Sequence, residues 1–127
     1  PNISFFKVNI NKTDSDWLDF NLINIKDLIK DDNIVFVDVT ADWCATCQFN
    51  KINVLKNSNI KKIFEEYNVI KVKADWTKSN KKIENFLYEN NKYGIPLNII
   101  YDKKNINGII LSELLSKKES TPGTHSE

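Results

Sequence analysis

Hydrophobic positions fall in short groups of differing period along the chain, which predicts strands alternating with helices. The most apolar run, Ile34 to Val39, is interrupted only by Asp38. A β-branched and aromatic stretch of this kind predicts a central strand covered on both faces. After a turn through Thr40, Ala41, Asp42 and Trp43 comes a helix whose first turn carries Cys44 and Cys47. That helix is expected to run on through Phe49, Ile52 and Leu55, three apart along one side, until Asn57-Ser58-Asn59 ends or bends it. Ile60, Ile63, Phe64 and Tyr67 keep helical spacing in the next segment, closed at Tyr67-Asn68. Val69, Ile70 and Val72 then predict a strand ending near Ala74.

The flanks are read the same way. Ile3 to Val8 suits an edge strand, Asn9 to Asp16 a loop, and Trp17, Leu18 and Phe20 an aromatic-rich patch ahead of a helix. That helix spans about 25–30, with Asn24 as cap and Leu28 and Ile29 facing inward. Beyond Ala74, Thr77 or Ser79 caps a helix whose apolar face is Ile83, Phe86 and Leu87. Asn90 to Tyr93 leads out to a Gly94-Ile95-Pro96 turn, and Leu97, Ile99, Ile100 and Tyr101 form a strand. The Asn107-Gly108 turn signal hands that strand to an antiparallel partner over 108–111, and Leu114 and Leu115 form a last helical turn. Residues 117–127 have no apolar periodicity and read as a flexible tail or an appended segment. The expectation is one α/β domain over 1–116, with 1–16 as an N-terminal extension or edge strand. Right-handed crossovers place the two cysteines at the carboxyl end of the central strand, where open α/β sheets hold their sites.

Composition narrows the function classes. A chain of 127 residues supports one core. It has no apolar run long enough to span a bilayer, and no signal-like segment opens it. The net charge is +1 and every one of the 18 basic residues is lysine. Without arginine there is no bidentate reader of phosphate or guanine, so nucleic acid is not expected as a partner.

The cysteines are more informative. Both lie in one CxxC, so they do not form a stapling framework. Three residues apart on one helix face, the two sulfurs can join and part with little backbone movement. Cys44 meets unpaired backbone N–H groups at the helix start, which favour its thiolate. It is the candidate nucleophile and Cys47 the candidate resolving thiol. Zinc is the rival occupant of CxxC, but it needs about four ligands and the only histidine is His125. Neither a metal nor a cofactor is expected, although two copies of the chain could share one ion.

Three other positions have both a functional and a plain reading. Asp38 interrupts the apolar strand; it is either a buried proton acceptor for Cys47 or a strand-end carboxylate bonded to a loop. Trp43 either shoulders the partner surface or fills space over the sheet. Pro96, if cis, would expose the Ile95 backbone to an extended substrate strand; if trans, it would only start its own strand. Trp43, Ala45, Ile95 and Pro96 are expected to form an apolar docking platform around Cys44.

Together, Asp38, Trp43-Cys44-Ala45-Thr46-Cys47 and Gly94-Ile95-Pro96 resemble a thioredoxin fold. VDVTADWCATC, KADWT (73–77), IENFL (83–87) and YGIPLNIIYD (93–102) further resemble the C-terminal periplasmic domain of DsbD-type thiol:disulfide interchange proteins, including their copper-sensitivity suppressor branch. The resemblance covers roughly 17–115. It implies a central mixed sheet flanked by helices, with Cys44 attacking, Cys47 resolving, Asp38 as the buried acid and Pro96 as the cis proline. It also implies a periplasmic domain of a bacterial inner-membrane protein, monomeric when isolated. That domain takes electrons from a membrane-embedded donor and passes them to periplasmic disulfide-bearing proteins, as in cytochrome maturation, isomerase upkeep or copper tolerance. The chain departs from the family in two places. Lys51 stands where the family commonly has a glutamate, which makes Lys51 a candidate tuning residue, and 117–127 supply no closing helix. The rival readings are a free-standing thioredoxin-like reductant and a CxxC metal-handling module.

Overall fold

The structure, a computed structural model, describes residues 16–116. The strand expected over Ile3 to Val8 and the tail over 117–127 lie outside the described residues. Five strands form one mixed sheet: β1 (Leu18–Asp19), β2 (Val35–Thr40), β3 (Ile70–Asp75), β4 (Leu97–Tyr101) and β5 (Ile109–Ile110). Their order across the sheet is β1-β3-β2-β4-β5. β1 and β2 run parallel to β3, while β4 is antiparallel to both β2 and β5. The helices are α1 (Ile25–Lys30), α2 (Ala45–Asn50), α3 (Ser58–Glu66) and α4 (Lys81–Glu89). This is the thioredoxin arrangement, with a central mixed sheet and the CxxC where the central strand gives way to its helix.

All six residues of β2 are buried, as expected of a strand flanked on both sides and covered on both faces. Alternation sends Val35, Val37 and Val39 to one face, where they join Val72, Ile99, α1 and α4. Phe36 and Ile100 point to the other face, against Val54, Leu55, Ile60 and Phe64. The cysteine helix and α4 therefore cover opposite faces. Phe36 has no exposed surface and meets Phe64 edge-on at 5.4 Å. Burying a side chain of that size contributes about 1.5–3 kcal/mol.

Several local expectations need correction. Trp17 and Leu18 do not merely precede a helix: Leu18 and Asp19 pair with Val72 and Lys73 as an edge strand. α2 ends at Asn50 and continues as a wider π turn over Lys51–Leu55, closed by a Lys56 N–H to Lys51 carbonyl bond of 2.8 Å. Of the expected stripe only Leu55 faces inward: Phe49 and Ile52 are exposed, and Cys47, Asn50 and Val54 are buried with Leu55. Asn50 can face inward because its amide donates to the Glu113 carbonyl at 2.8 Å and accepts from the Leu115 N–H at 3.0 Å. In the next helix Ile60 and Phe64 are buried as expected, but Tyr67 is exposed. Asn80, not Thr77 or Ser79, caps α4 by accepting from the Ile83 N–H at 3.0 Å. Leu114 and Leu115 form no helical turn; Leu115 is buried and Leu114 exposed.

Candidate active site

Cys44 is the N-cap of α2, and its Sγ accepts the Cys47 N–H at 3.2 Å. The two cysteines are joined as a disulfide, their Cα atoms 5.2 Å apart. Cys44 retains 7% of its surface and Cys47 3%, so attack from outside reaches Cys44 more readily. Both pack with Ala41, and Ile95 covers the cluster from the loop before β4. The Ile95–Pro96 peptide is cis. Pro96 itself is buried, so the open surface around Cys44 comes from Trp43, Ala45 and the half-buried Ile95.

The turn that presents Cys44 is held by a loop that hydropathy does not mark. Thr77 Oγ1 accepts the Asp42 N–H at 2.9 Å, and the Thr77 carbonyl accepts the Trp43 indole N–H at 3.3 Å. Gln48 Nε2 donates to the Ala41 carbonyl at 3.0 Å, closing the turn from the helix side. Trp43 packs on Trp76 with ring centroids 5.9 Å apart, and Trp76 in turn donates to Glu84 Oε2 at 3.3 Å. Thr77 therefore works as an anchor of the active-site turn, not as the helix cap its sequence position suggests.

Asp38 lies in the middle of β2 and is 6% exposed. By strand alternation it shares its face with Phe36 and Thr40, the face covered by the cysteine helix. Burial raises its carboxyl from 3.8 to about 7, against the pull of the Lys51 and then the Lys73 ammonium groups. Lys73 is its β3 partner in register and Lys51 opens the π turn. Burial also resists ionisation of Asp75 at the end of β3, but hydrogen bonds from Thr77, with Lys73 and Lys51, outweigh it and hold that carboxyl below its usual range. The site thus has one acid poised near neutrality and one firmly ionised. Sequence reasoning overlooked two further buried polar residues, Thr40 and Asn98. The only available signal was Asn98 as a polar residue inside the apolar run Leu97 to Tyr101.

Among the described residues, no three His, Cys, Asp or Glu side chains group so as to hold a metal ion. Nor is any helix there long and apolar enough to cross a membrane. A cleft of about 740 Å³ opens between α1 and α4, lined by Phe20, Ile29, Phe86 and Tyr101 among others, but it does not include the cysteines.

The thioredoxin-like family model matches residues 26–103. Among solved structures, the chain is similar to the oxidised C-terminal domain of Neisseria meningitidis DsbD at 17% identity and a TM-score of 0.61. That match covers 75% of this chain and 82% of the other. A thioredoxin from Thermus thermophilus is similar at 13% identity and a TM-score of 0.61, over 81% of this chain and 78% of that one. A DsbH oxidoreductase is similar at 18% identity and a TM-score of 0.56, over 76% and 69%. No curated protein sequence matches the chain.

Proposed function

The chain belongs to the thioredoxin-like family, and on that premise we propose that it is a thiol:disulfide oxidoreductase relaying electrons from a membrane-embedded donor to periplasmic disulfide partners. The observation that carries the chemistry is the Cys44–Cys47 disulfide at the carboxyl end of β2, with the buried Asp38 on the sheet face under its helix. The DsbD-type motifs around Cys44, Trp76 and Pro96 and the similar fold of the DsbD C-terminal domain support the relay assignment.

In the reduced domain, the Cys44 thiolate attacks a partner disulfide. A mixed disulfide forms and the partner's other sulfur leaves as a thiolate. Asp38 then takes the proton of Cys47, whose thiolate attacks Cys44 Sγ. The Cys44–Cys47 bond forms, the mixed disulfide breaks, and the partner departs with two electrons as a dithiol. The same exchange run backwards with the donor's thiols reloads the domain. Trp43, Ala45 and Ile95 make up the exposed partner platform, and the buried Pro96 holds the backbone next to Ile95. Lys51 tunes the charge around Asp38.

A Cys47→Ser variant expressed in the native membrane context is expected to accumulate mixed disulfides through Cys44, identifiable by mass. The relay reading requires a membrane-embedded protein among them. Equal trapping by Cys44→Ser would mean that the two cysteine roles are reversed. The comparable similarity to the Thermus thermophilus thioredoxin supports a second reading, a free-standing reductant. Efficient reduction of the purified domain by a soluble flavoprotein reductase, with no membrane partner trapped, would favour that one.

A further inference from the structure

Asn98 stands directly opposite Asp38 in the antiparallel pairing of β4 with β2, and Lys73 stands opposite it on the other side in β3. Alternation puts all three side chains on the face covered by the cysteine helix, with Thr40 two residues further along β2. Asn98 is 1% exposed and Thr40 2%. The Asn98 amide nitrogen and oxygen and the Thr40 hydroxyl make no protein hydrogen bond among the described residues. An apolar side chain would avoid that cost, as Ile100 does on the same face two positions on. Each unpaired buried polar group costs about 1–3 kcal/mol. Two orphaned side chains beside the buried acid therefore point to a shared partner. Directly opposed strand residues have Cβ atoms about 4.5–5.5 Å apart, a separation that one bridging water can span. A buried water usually makes about three hydrogen bonds, the number that Asn98, Thr40 and Asp38 together supply.

We infer that Asn98 is a positioning residue for the proton transfer: with Thr40 it holds one water against the Asp38 carboxyl and so sets how readily that group accepts the Cys47 proton. The inference rests on the proposed role of Asp38. A water held by the Asn98 carbonyl and the Thr40 hydroxyl keeps a proton to donate to the carboxylate. Asn98 thereby favours the ionised form, in the same direction as Lys73 on β3 and Lys51 on the π turn and against the burial that raises the carboxyl to about 7. Asp75, at the end of β3, and Lys71, whose ammonium pairs with Asp16, are the other titratable groups on that face of the strand. β4 contributes only Asn98 and Ile100 there.

The test is a single-turnover reaction of the reduced domain with a chromogenic aryl disulfide across a range of pH. Attack by Cys44 releases the first chromophore and resolution by Cys47 the second, so the second phase reports the Asp38-dependent step. Asn98→Leu is expected to move the midpoint of that phase up by about one pH unit and leave the first phase in place. Asn98→Ser, which keeps a polar group, is expected to restore part of the shift and guards against loss of folding in the leucine variant. In an Asp38→Asn background, Asn98→Leu is expected to cause no further displacement. Superimposable second-phase curves for wild type and Asn98→Leu would overturn the inference, as would a displacement that persists without Asp38. A wild-type protein with no second phase would instead overturn the proposed function.

Discussion

The indole N–H of Trp43 points at the main-chain carbonyl of Thr77, 3.3 Å away, so the residue before Cys44 is pinned to the loop between β3 and α4. The neighbouring Asp42 N–H is held by the Thr77 hydroxyl. One threonine thus fixes two consecutive residues of the turn that presents Cys44. Thr77→Val keeps the shape and removes the hydroxyl. It should destabilise the oxidised protein by about 1 kcal/mol in chemical denaturation. Alkylation of Cys44 in the reduced form should become faster as the turn loosens. Unchanged stability and unchanged alkylation would show that the Thr77 carbonyl alone anchors the turn.

The raised Asp38 carboxyl makes stability depend on pH with a definite sign. Between its ordinary value of 3.8 and its folded value of about 7, the folded protein holds a proton that the unfolded chain releases. The contribution of Asp38 to stability is therefore fully present below its ordinary value, falls as pH rises through this window and levels off above it. The loss is at most on the order of 4 kcal/mol. Denaturant midpoints measured at about pH 5 and about pH 8 should differ in that direction for wild type and converge for Asp38→Asn. A wild-type midpoint that rises over the same range would contradict the assignment.

Lys51 is the largest charge influence on Asp38 and is half-buried. Lys51→Glu replaces an attraction with a repulsion. It should raise the Asp38 carboxyl further and disfavour the Cys44 thiolate, moving the pH midpoint of Cys44 alkylation upward. The reduced form would lose stabilisation, and the reduction potential should become more negative. Matching alkylation curves for the two proteins would mean that the lysine carries its charge into water.

Gly108 has a φ of +85°, and a Cβ there would run into Ile99 Cγ2 and lie 2.9 Å from Tyr101 Cε2. Gly108→Ala combines a strained backbone with a clash against the floor of the sheet. It should cost more than about 1 kcal/mol in thermal or chemical unfolding. The disulfide should still form if β5 alone is disturbed, which a thiol count on the oxidised protein would read.

Much of this protein is determined locally. The Ile34 to Val39 run reads as a buried strand, Asn24 as a cap for α1, and Asn107-Gly108 as a tight turn, because each rests on the period or backbone freedom of a few adjacent residues. The same holds for Cys44 and Cys47, whose spacing places both sulfurs on one helical turn. What the tertiary structure decided concerns polar groups and short elements that exist only through distant partners. β1 is two residues long and is a strand only because Val72 and Lys73 complete its hydrogen bonds. The inward face of α2 was hidden because it carries Asn50, a polar residue made tolerable by Glu113 and Leu115 more than sixty positions away. Thr77 reads as a helix cap until the turn before Cys44 folds onto it. Asn98 becomes a neighbour of Asp38 only when β4 pairs antiparallel with β2. Hydropathy reports how a side chain prefers water to oil; whether a buried polar group is satisfied depends on what the rest of the chain brings to it.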